Sequence, residues 1–253
     1  MKSPVNKKVG MVAILDALGA ATYGDKEIQL FLESRQRVLN LLGKKIEGMS
    51  ERIDRSELLI FTFNDTILIV YQTGGSEVRM GEIDTFFVLL RKFLCDSLAQ
   101  GILFRGSVAI GSFFADNKSN TVMGQAVTDA AAWYEKADWM GIQATPRASM
   151  IIDRWIAASN SHKAHLFFDY SVPLKEGKTI ATKAVNWPRV FCIPSMSPFP
   201  DAVNPREKVL ELLSNHSVPL GTERKFFNTL AFFDESEKKF RLEKKAKKIL
   251  RSR

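Results

Sequence analysis

The distribution of apolar residues along the chain predicts strands that alternate with helices. Apolar runs of strand length end at polar or glycine residues, and apolar residues recur at helical spacing between those runs. The predicted strands fall at residues 9–15, 58–63, 66–71, 103–110, 121–122 and 141–144. The predicted helices fall at residues 25–46, 82–99 and 125–136. This order predicts a mixed α+β sheet that is covered by helices on one face.

Similar patterns continue towards the C-terminus. They predict a helix after Pro146, strands at 166–170 and 180–187, a proline-rich loop, and helices at 207–215 and from Thr222 onward. We divide the chain into a domain at residues 1–190, an extension at 191–237 that packs on it, and a basic tail at 238–253.

Two aspartates stand where predicted strands end. Asp16 closes the first strand, and Asp65 lies with Asn64 between the β-rich runs 58–63 and 66–71. Two turn-forming residues between two such runs predict a tight hairpin. A carboxylate at a strand end and another at a hairpin tip could converge on a divalent metal, which prefers hard oxygen ligands. The pair therefore indicates metal-dependent phosphate chemistry.

The net charge of +8 belongs to one end of the sequence. Residues 238–253 hold nine basic residues and one acidic residue, so the remainder of the chain is balanced. A basic protein usually suggests nucleic acid or an anionic membrane as a partner. Here a solvated, partly helical tail is the favoured interpretation, and contacts with phosphates, a membrane surface or a second subunit are the alternatives. Nucleic acid is not expected as a partner.

The rest of the composition is that of a globular protein. With 253 residues, of which 45% are hydrophobic and 25% charged, the chain can bury a sizeable core. Cys95 and Cys192 lie among apolar residues, which predicts buried thiols rather than a disulfide. We find no secretory signal and no apolar run of about 20 residues. A cytoplasmic protein without a membrane span is therefore expected.

Four short motifs resemble, in the same order, those of the class III nucleotidyl cyclases. In that family the first strand ends in an aspartate before a small-residue turn, and a hairpin tip carries a second aspartate. The fourth strand begins with an arginine and ends in glycine, and the next helix opens with glycine and contains paired alanines. The corresponding segments here are Leu15–Ala20, Asn64–Asp65, Phe104–Gly111 and Gly124–Glu135. Together the motifs span residues 9–140.

The positions that read the base in purine-specific cyclases differ in this sequence. Phe61 stands where those enzymes have a lysine, and Thr121 occupies the second base-reading position. On the helix that opens at Gly124, Thr128 and Ala132 stand where that family has an asparagine and an arginine. The pattern is more similar to the pyrimidine cyclases of bacterial Pycsar antiphage systems. The segments that carry this similarity are Trp133–Glu135, Trp139–Ile142 and Asn186–Pro188.

The resemblance implies a fold and a reaction. The fold is α+β, with a ferredoxin-like βαββαβ core of the class III cyclase type and a C-terminal extension. The reaction converts UTP, or as the less favoured substrate CTP, to the 3′,5′-cyclic nucleotide and pyrophosphate in a head-to-tail homodimer. The product would be a second messenger in bacterial antiphage defence, read by a separate cyclic-nucleotide-binding effector protein.

The resemblance also implies roles for individual residues. The catalytic metal site would hold two divalent cations, Mn²⁺ or Mg²⁺, through Asp16, the carbonyl of Ala17, and Asp65. The substrate contacts would be Arg105, Leu18 and Gly19 at the phosphates, with Phe61 and Thr121 at the base. Two alternatives stay open: an adenylyl or guanylyl cyclase with atypical base contacts, and a catalytically inactive nucleotide-sensing module.

Overall fold

An eight-stranded mixed β-sheet is the frame of the protein. The computed structural model describes residues 6–49, 57–116, 119–159, 165–216, 218 and 220–251. The strands are β1 (Lys7–Ala17), β2 (Leu58–Phe63), β3 (Thr66–Gln72), β4 (Phe104–Asp116), β5 (Thr121–Met123), β6 (Gly141–Ala144), β7 (Phe167–Pro173) and β8 (Thr179–Val185). The helices are α1 (Asp25–Glu47), α2 (Met80–Ala99), α3 (Gln125–Trp133), α4 (Pro146–Ser159), α5 (Pro188–Phe191), α6 (Pro205–Ser214) and α7 (Glu223–Arg251).

The first six elements form the predicted βαββαβ core. The strand order across the sheet is β2-β3-β1-β4-β6-β8-β7, and β5 pairs with the end of β4. Neighbours among β2, β3, β1 and β4 are antiparallel, and β6 joins β4 in parallel. The first four strands therefore have the order and directions of a ferredoxin-like fold, in which another strand separates the two parallel strands of each βαβ unit. The α+β prediction is confirmed.

Strand β1 is buried on both of its faces. Met11, Ala13 and Leu15 belong to the larger apolar cluster, whereas Val12 and Ile14 belong to a smaller cluster on the opposite side of the sheet. Such a strand lacks the alternation of apolar and polar residues that marks a half-exposed strand. Its register against β3 and β4 is strongly specified, because a slip by one residue would exchange the two faces.

Helix α3 departs from the expectation that helices cover one face. Buried residues of the other helices join the larger cluster, but Ala126 and Ala130 of α3 pack with Val12 and Phe113 in the smaller one. The Ser107 hydroxyl also donates to the Ala130 carbonyl at 2.7 Å, which ties the helix to β4. Apolar periodicity predicts that a helix forms, but it does not say which side of the sheet the helix covers.

Strand β4 is longer than predicted. Its expected end at Gly111 is wrong, because the strand continues to Asp116. Gly111 lies opposite Gly10 in the ladder with β1, so the glycine continues the pairing instead of ending it. Beyond it, Phe114 stays in the ladder with β1 and pairs with Met123 of β5 on the other side. Strand pairing on both sides outweighs the tendency of glycine to end a strand.

Helix α7 packs its first half into the core through an aromatic cluster. The ring centroid of Phe232 lies 4.6 Å from that of Trp139, 4.8 Å from that of Tyr170 and 5.2 Å from that of Phe168. Phe232 is fully buried by these contacts. The helix therefore shares the core of the sheet.

Residues 238–251 of the predicted basic tail form the second half of the same helix. α7 passes residue 238 without a break. Glu243 forms an ion pair of 2.8 Å with Arg189, and the Lys239 ammonium lies 5.1 Å from the ring centroid of Phe168. Within the described ranges no helix, α7 included, has the length and apolar character needed to cross a membrane. The division into domain, extension and tail stays a prediction.

The two cysteines are free thiols, as predicted. Cys95 is buried and Cys192 is partly buried. Burial raises the pKa of both thiols, that of Cys192 to about 11. Neither thiol therefore has the low pKa of a reactive cysteine.

Replacing Phe232 with alanine tests whether α7 belongs to the core. We expect Phe232→Ala to lower the free energy of unfolding by about 3–5 kcal/mol, as for other buried phenylalanines. Phe227→Ala is the matched control on the same helix, because its side chain is 69% exposed. The control should change stability by no more than about 0.5 kcal/mol. Urea unfolding of the two variants measures both values, and equal small effects would show that α7 is not part of the core.

Candidate functional site

An ion pair between neighbouring strands lies at the centre of the candidate site. Asp16 of β1 and Arg105 of β4 are direct cross-strand partners. Arg105 donates to Asp16 Oδ2 from Nε at 3.1 Å and from Nη2 at 3.0 Å. The Asp16 side chain is 14% exposed and the Arg105 side chain is 11% exposed. Asp16 shares its face of β1 with Val12 and Ile14, since alternate residues of a strand point to the same side. The pair therefore lies on the α3 side of the sheet.

The hairpin of β2 and β3 brings Asp65 beside Asp16. Asn64 in its two-residue turn has a positive φ of 50°, which asparagine tolerates better than most residues. The Asp65 carbonyl accepts a hydrogen bond of 3.2 Å from the Ala17 amide. Arg35 of α1 donates to the Asn64 carbonyl. Main-chain contacts thus hold the hairpin tip against the end of β1.

Opposing effects act on the protonation of Asp16. Burial is the largest and raises the pKa of its carboxyl group above the usual value, while the charge and hydrogen bonds of Arg105 lower it. The charges of Asp65 and Glu135 raise the pKa further. The net result is a raised pKa, so the folded protein holds this carboxylate in an environment that opposes its ionisation.

Glu135 also belongs to this charge cluster. The sequence motifs did not predict a role in the site for it. It follows α3, and its carbonyl accepts a hydrogen bond of 3.4 Å from Arg105 Nη1. Its carboxylate accepts a hydrogen bond of 2.9 Å from the Tyr134 hydroxyl, whose pKa rises to about 12, first through burial and then through Glu135. No local signal in the sequence places it there, because its nearness to Asp16 depends on the side of the sheet on which α3 packs.

The turn after β1 offers fewer free amides than its sequence suggests. The Ala17 amide donates to the hairpin tip, and the Leu18 amide donates to the Leu103 carbonyl at 2.8 Å. Gly19 adopts a positive φ of 87° and precedes a single 3₁₀ turn at Ala20–Thr22. An anion at this turn would therefore be bound by the amides of residues 19–21, because the Thr22 and Tyr23 amides donate to the Gly19 and Ala20 carbonyls.

The oxygen atoms gathered here suit a hard divalent cation. They are the Asp16 and Asp65 carboxylates and the Ala17 carbonyl, a donor set of the kind that Mg²⁺ and Mn²⁺ accept. A cation between the two carboxylates would oppose the repulsion that raises the Asp16 pKa. Arg105 already binds Oδ2 of Asp16, so a cation would use Oδ1 or replace the arginine. Over the described ranges, no three Asp, Glu, His or Cys side chains lie close enough to hold a metal by themselves.

Of the two residues predicted to contact the base, one is buried and the other lies far from this cluster in a single chain. Phe61 is 6% exposed and packs in the smaller apolar cluster. Thr121 is exposed and pairs with Asp116, at the opposite end of β4 from Arg105. At the usual rise of a strand, roughly 35 Å of β4 separates those two ends. One chain therefore brings together the predicted metal ligands and Arg105, but not Thr121.

Comparison with known proteins gives solved structures only. No family model matches the chain, and no curated protein matches it. The adenylyl cyclase CyaB from P. aeruginosa has a TM-score of 0.43 and 13% identity, covering 71% of this chain and 94% of that one. The catalytic core of a rhodopsin-guanylyl cyclase with converted specificity, in complex with ATPalphaS, has a TM-score of 0.43 and 16% identity, covering 72% and 98%. The guanylyl cyclase Cya2 has a TM-score of 0.38 and 15% identity, covering 72% and 93%. These identities and TM-scores are low.

Charge-removing variants should move the Asp16 pKa in opposite directions. In metal-free protein, Asp65→Asn should lower the Asp16 pKa because it removes a repelling negative charge, whereas Arg105→Gln should raise it. Glu33→Gln, on the exposed side of α1, is the control and should leave it unchanged. Carbon-13 NMR titration of the Asp16 carboxyl group measures all three. An Asp16 pKa that does not respond to Asp65→Asn would show that the two carboxylates do not share a site.

Proposed function

We propose that this protein is a metal-dependent nucleotidyl cyclase that converts a pyrimidine nucleoside triphosphate to its 3′,5′-cyclic monophosphate and pyrophosphate. The observation that carries the proposal is the meeting of Asp16, Arg105 and Asp65 at the end of β1, beside the turn at Gly19. Two carboxylates and a guanidinium at a glycine turn suit a triphosphate together with its cations.

Each residue of the cluster has a separate task in this proposal. Arg105 can exchange the Asp16 carboxylate for a phosphate group, since its planar fork binds either anion. Asp16, the Ala17 carbonyl and Asp65 would hold divalent cations, which when bound neutralise triphosphate charge and make the ribose 3′-hydroxyl more acidic. The partial burial of Arg105 strengthens its attraction for a phosphate, because charges interact more strongly away from bulk water. The amides of residues 19–21 would orient phosphate oxygens.

A pyrimidine is the proposed base, with UTP favoured over CTP. Neither Phe61, which is buried in the smaller apolar cluster, nor Thr121 offers a charged group to the edge of a purine. The role of the product as a second messenger in antiphage defence, read by a separate effector, rests on the motif resemblance alone.

A head-to-tail homodimer is part of the same proposal. Within one chain, the length of β4 separates Thr121 from Asp16. A two-fold arrangement presents the same surface of both subunits to each other, so it can bring the metal ligands of one protomer to the base contacts of its partner. Each chain alone would then hold two incomplete halves of a site.

A second candidate is a nucleotide-binding module without turnover. Thr128 and Ala132 are exposed on α3 and cannot supply positive charge to a transition state. The partner of Asp16 in the described structure is Arg105, an arrangement that can bind a nucleotide without cyclising it. Turnover separates the two functions.

Incubation with each of ATP, GTP, CTP and UTP, in the presence of Mn²⁺ or Mg²⁺, tests the proposal. We expect mass spectrometry to find a cyclic pyrimidine nucleotide, with more product from UTP than from CTP. Asp65→Asn should reduce product formation by more than the roughly 100-fold that loss of an outer-shell partner of a metal typically causes. Asp201→Asn makes the same chemical change in an exposed loop and should leave turnover unchanged.

The possible results separate the candidates. A cyclic purine would overturn the proposed base while supporting the reaction. Nucleotide binding without any cyclic product, in folded dimeric protein, would favour the sensing module. Equal turnover by Asp65→Asn and the control would remove Asp65 from the metal site.

A further inference from the structure

The first turns of α7 form one wall of a cavity beside the candidate site. The cavity has a volume of about 90 Å³ and lies between the turn after β1 and the start of the helix. Its lining includes Leu18, Gly19, Thr22 and Tyr23 from the turn and Lys225 and Phe226 from α7. The turn that would receive phosphates is therefore faced by a cation from a distant part of the sequence.

Hydrogen bonds on one face of α7 fix the position of Lys225. Asn228 Nδ2 donates to the Asp138 carbonyl at 2.7 Å, and the Thr229 hydroxyl accepts from the Met140 amide at 2.9 Å. Residues three and four positions apart share a face of a helix, so Lys225 lies on the anchored face. The Phe232 cluster holds the next turn. The helix is thus bound to the sheet immediately beyond Lys225.

The Lys225 ammonium lies within electrostatic range of both members of the central ion pair. Its pKa is lowered, chiefly by burial and then by the positive charge of Arg105, while Asp138 and Asp16 act in the opposite direction. Lys175 adds a further repelling charge. Like charges held together at a partly buried position destabilise one another, unless an anion lies between them. A polyphosphate is an anion of the required charge, and the adjoining turn could present it with the amides of residues 19–21.

We propose that Lys225 is a phosphate-binding residue that α7 supplies to the nucleotide site, where it contacts the triphosphate together with Arg105. This inference rests on the proposed function for the identity of the nucleotide. It adds to that function a substrate contact that lies outside the four motifs and assigns α7 a part in the site.

Lys225→Met tests the proposal because it keeps the length of the side chain and removes its charge. We expect KM for the nucleoside triphosphate, and the Kd for inorganic tripolyphosphate measured by calorimetry, to rise about 10- to 100-fold. Lys225→Arg should recover most of the tripolyphosphate affinity. Lys248→Met is the control, since Lys248 is an exposed lysine near the other end of the same helix. Urea unfolding of each variant shows whether it remains folded.

The two readouts distinguish failure of this inference from failure of the proposed function. Cyclisation by the wild type, with Lys225→Met and Lys248→Met equal in KM and tripolyphosphate affinity, would overturn the inference alone. No cyclic product from the wild type, with tripolyphosphate binding weakened by Lys225→Met and restored by Lys225→Arg, would overturn the cyclase and support the phosphate site. Absence of both turnover and tripolyphosphate binding in the wild type would overturn both.

Discussion

The burial of β1 on both faces is the constraint on which the candidate site depends. Every residue from Met11 to Leu15 is at most 5% exposed. Complete burial of one large apolar side chain contributes about 1.5–3 kcal/mol, so a slipped register would lose several such contributions. The strand therefore ends at one place, with Asp16 as its last polar position and Arg105 opposite. The positions of these charges follow from the packing of apolar residues.

The charges of Asp16 and Arg105 neutralise each other at a position where either charge without its partner would be largely buried. Removing one partner of a buried pair leaves an unpaired charge and is costly, although the intact pair adds little net stability. In the proposed function, the pair would separate when a phosphate or a cation binds. Burial raises the pKa of Asp16 even with the arginine beside it. Further positive charge near the carboxylate would therefore favour its ionised form.

Local signals in the sequence predict the scaffold well. An apolar run that ends in aspartate predicts β1, and Asn64–Asp65 between two β-rich runs predicts the hairpin, because neighbouring residues determine both features. Such local signals do not predict contacts between residues that are distant in the sequence. The Leu18 amide is occupied by Leu103, which is far away in the sequence, and no pattern within the turn reveals this. The same reason explains the side of the sheet on which α3 packs and the position of Glu135.

The anchoring of α7 has a consequence for the order of folding during synthesis. Among the described elements, α7 is the last that a ribosome makes, whereas its partners Trp139, Phe168 and Tyr170 belong to segments made earlier. Until Phe232 leaves the ribosome, those three rings lack the side chain that packs among them. The nascent sheet then presents an aromatic surface of the kind that makes incompletely folded chains prone to association. The aromatic cluster of the described residues therefore cannot be complete before α7 has been made.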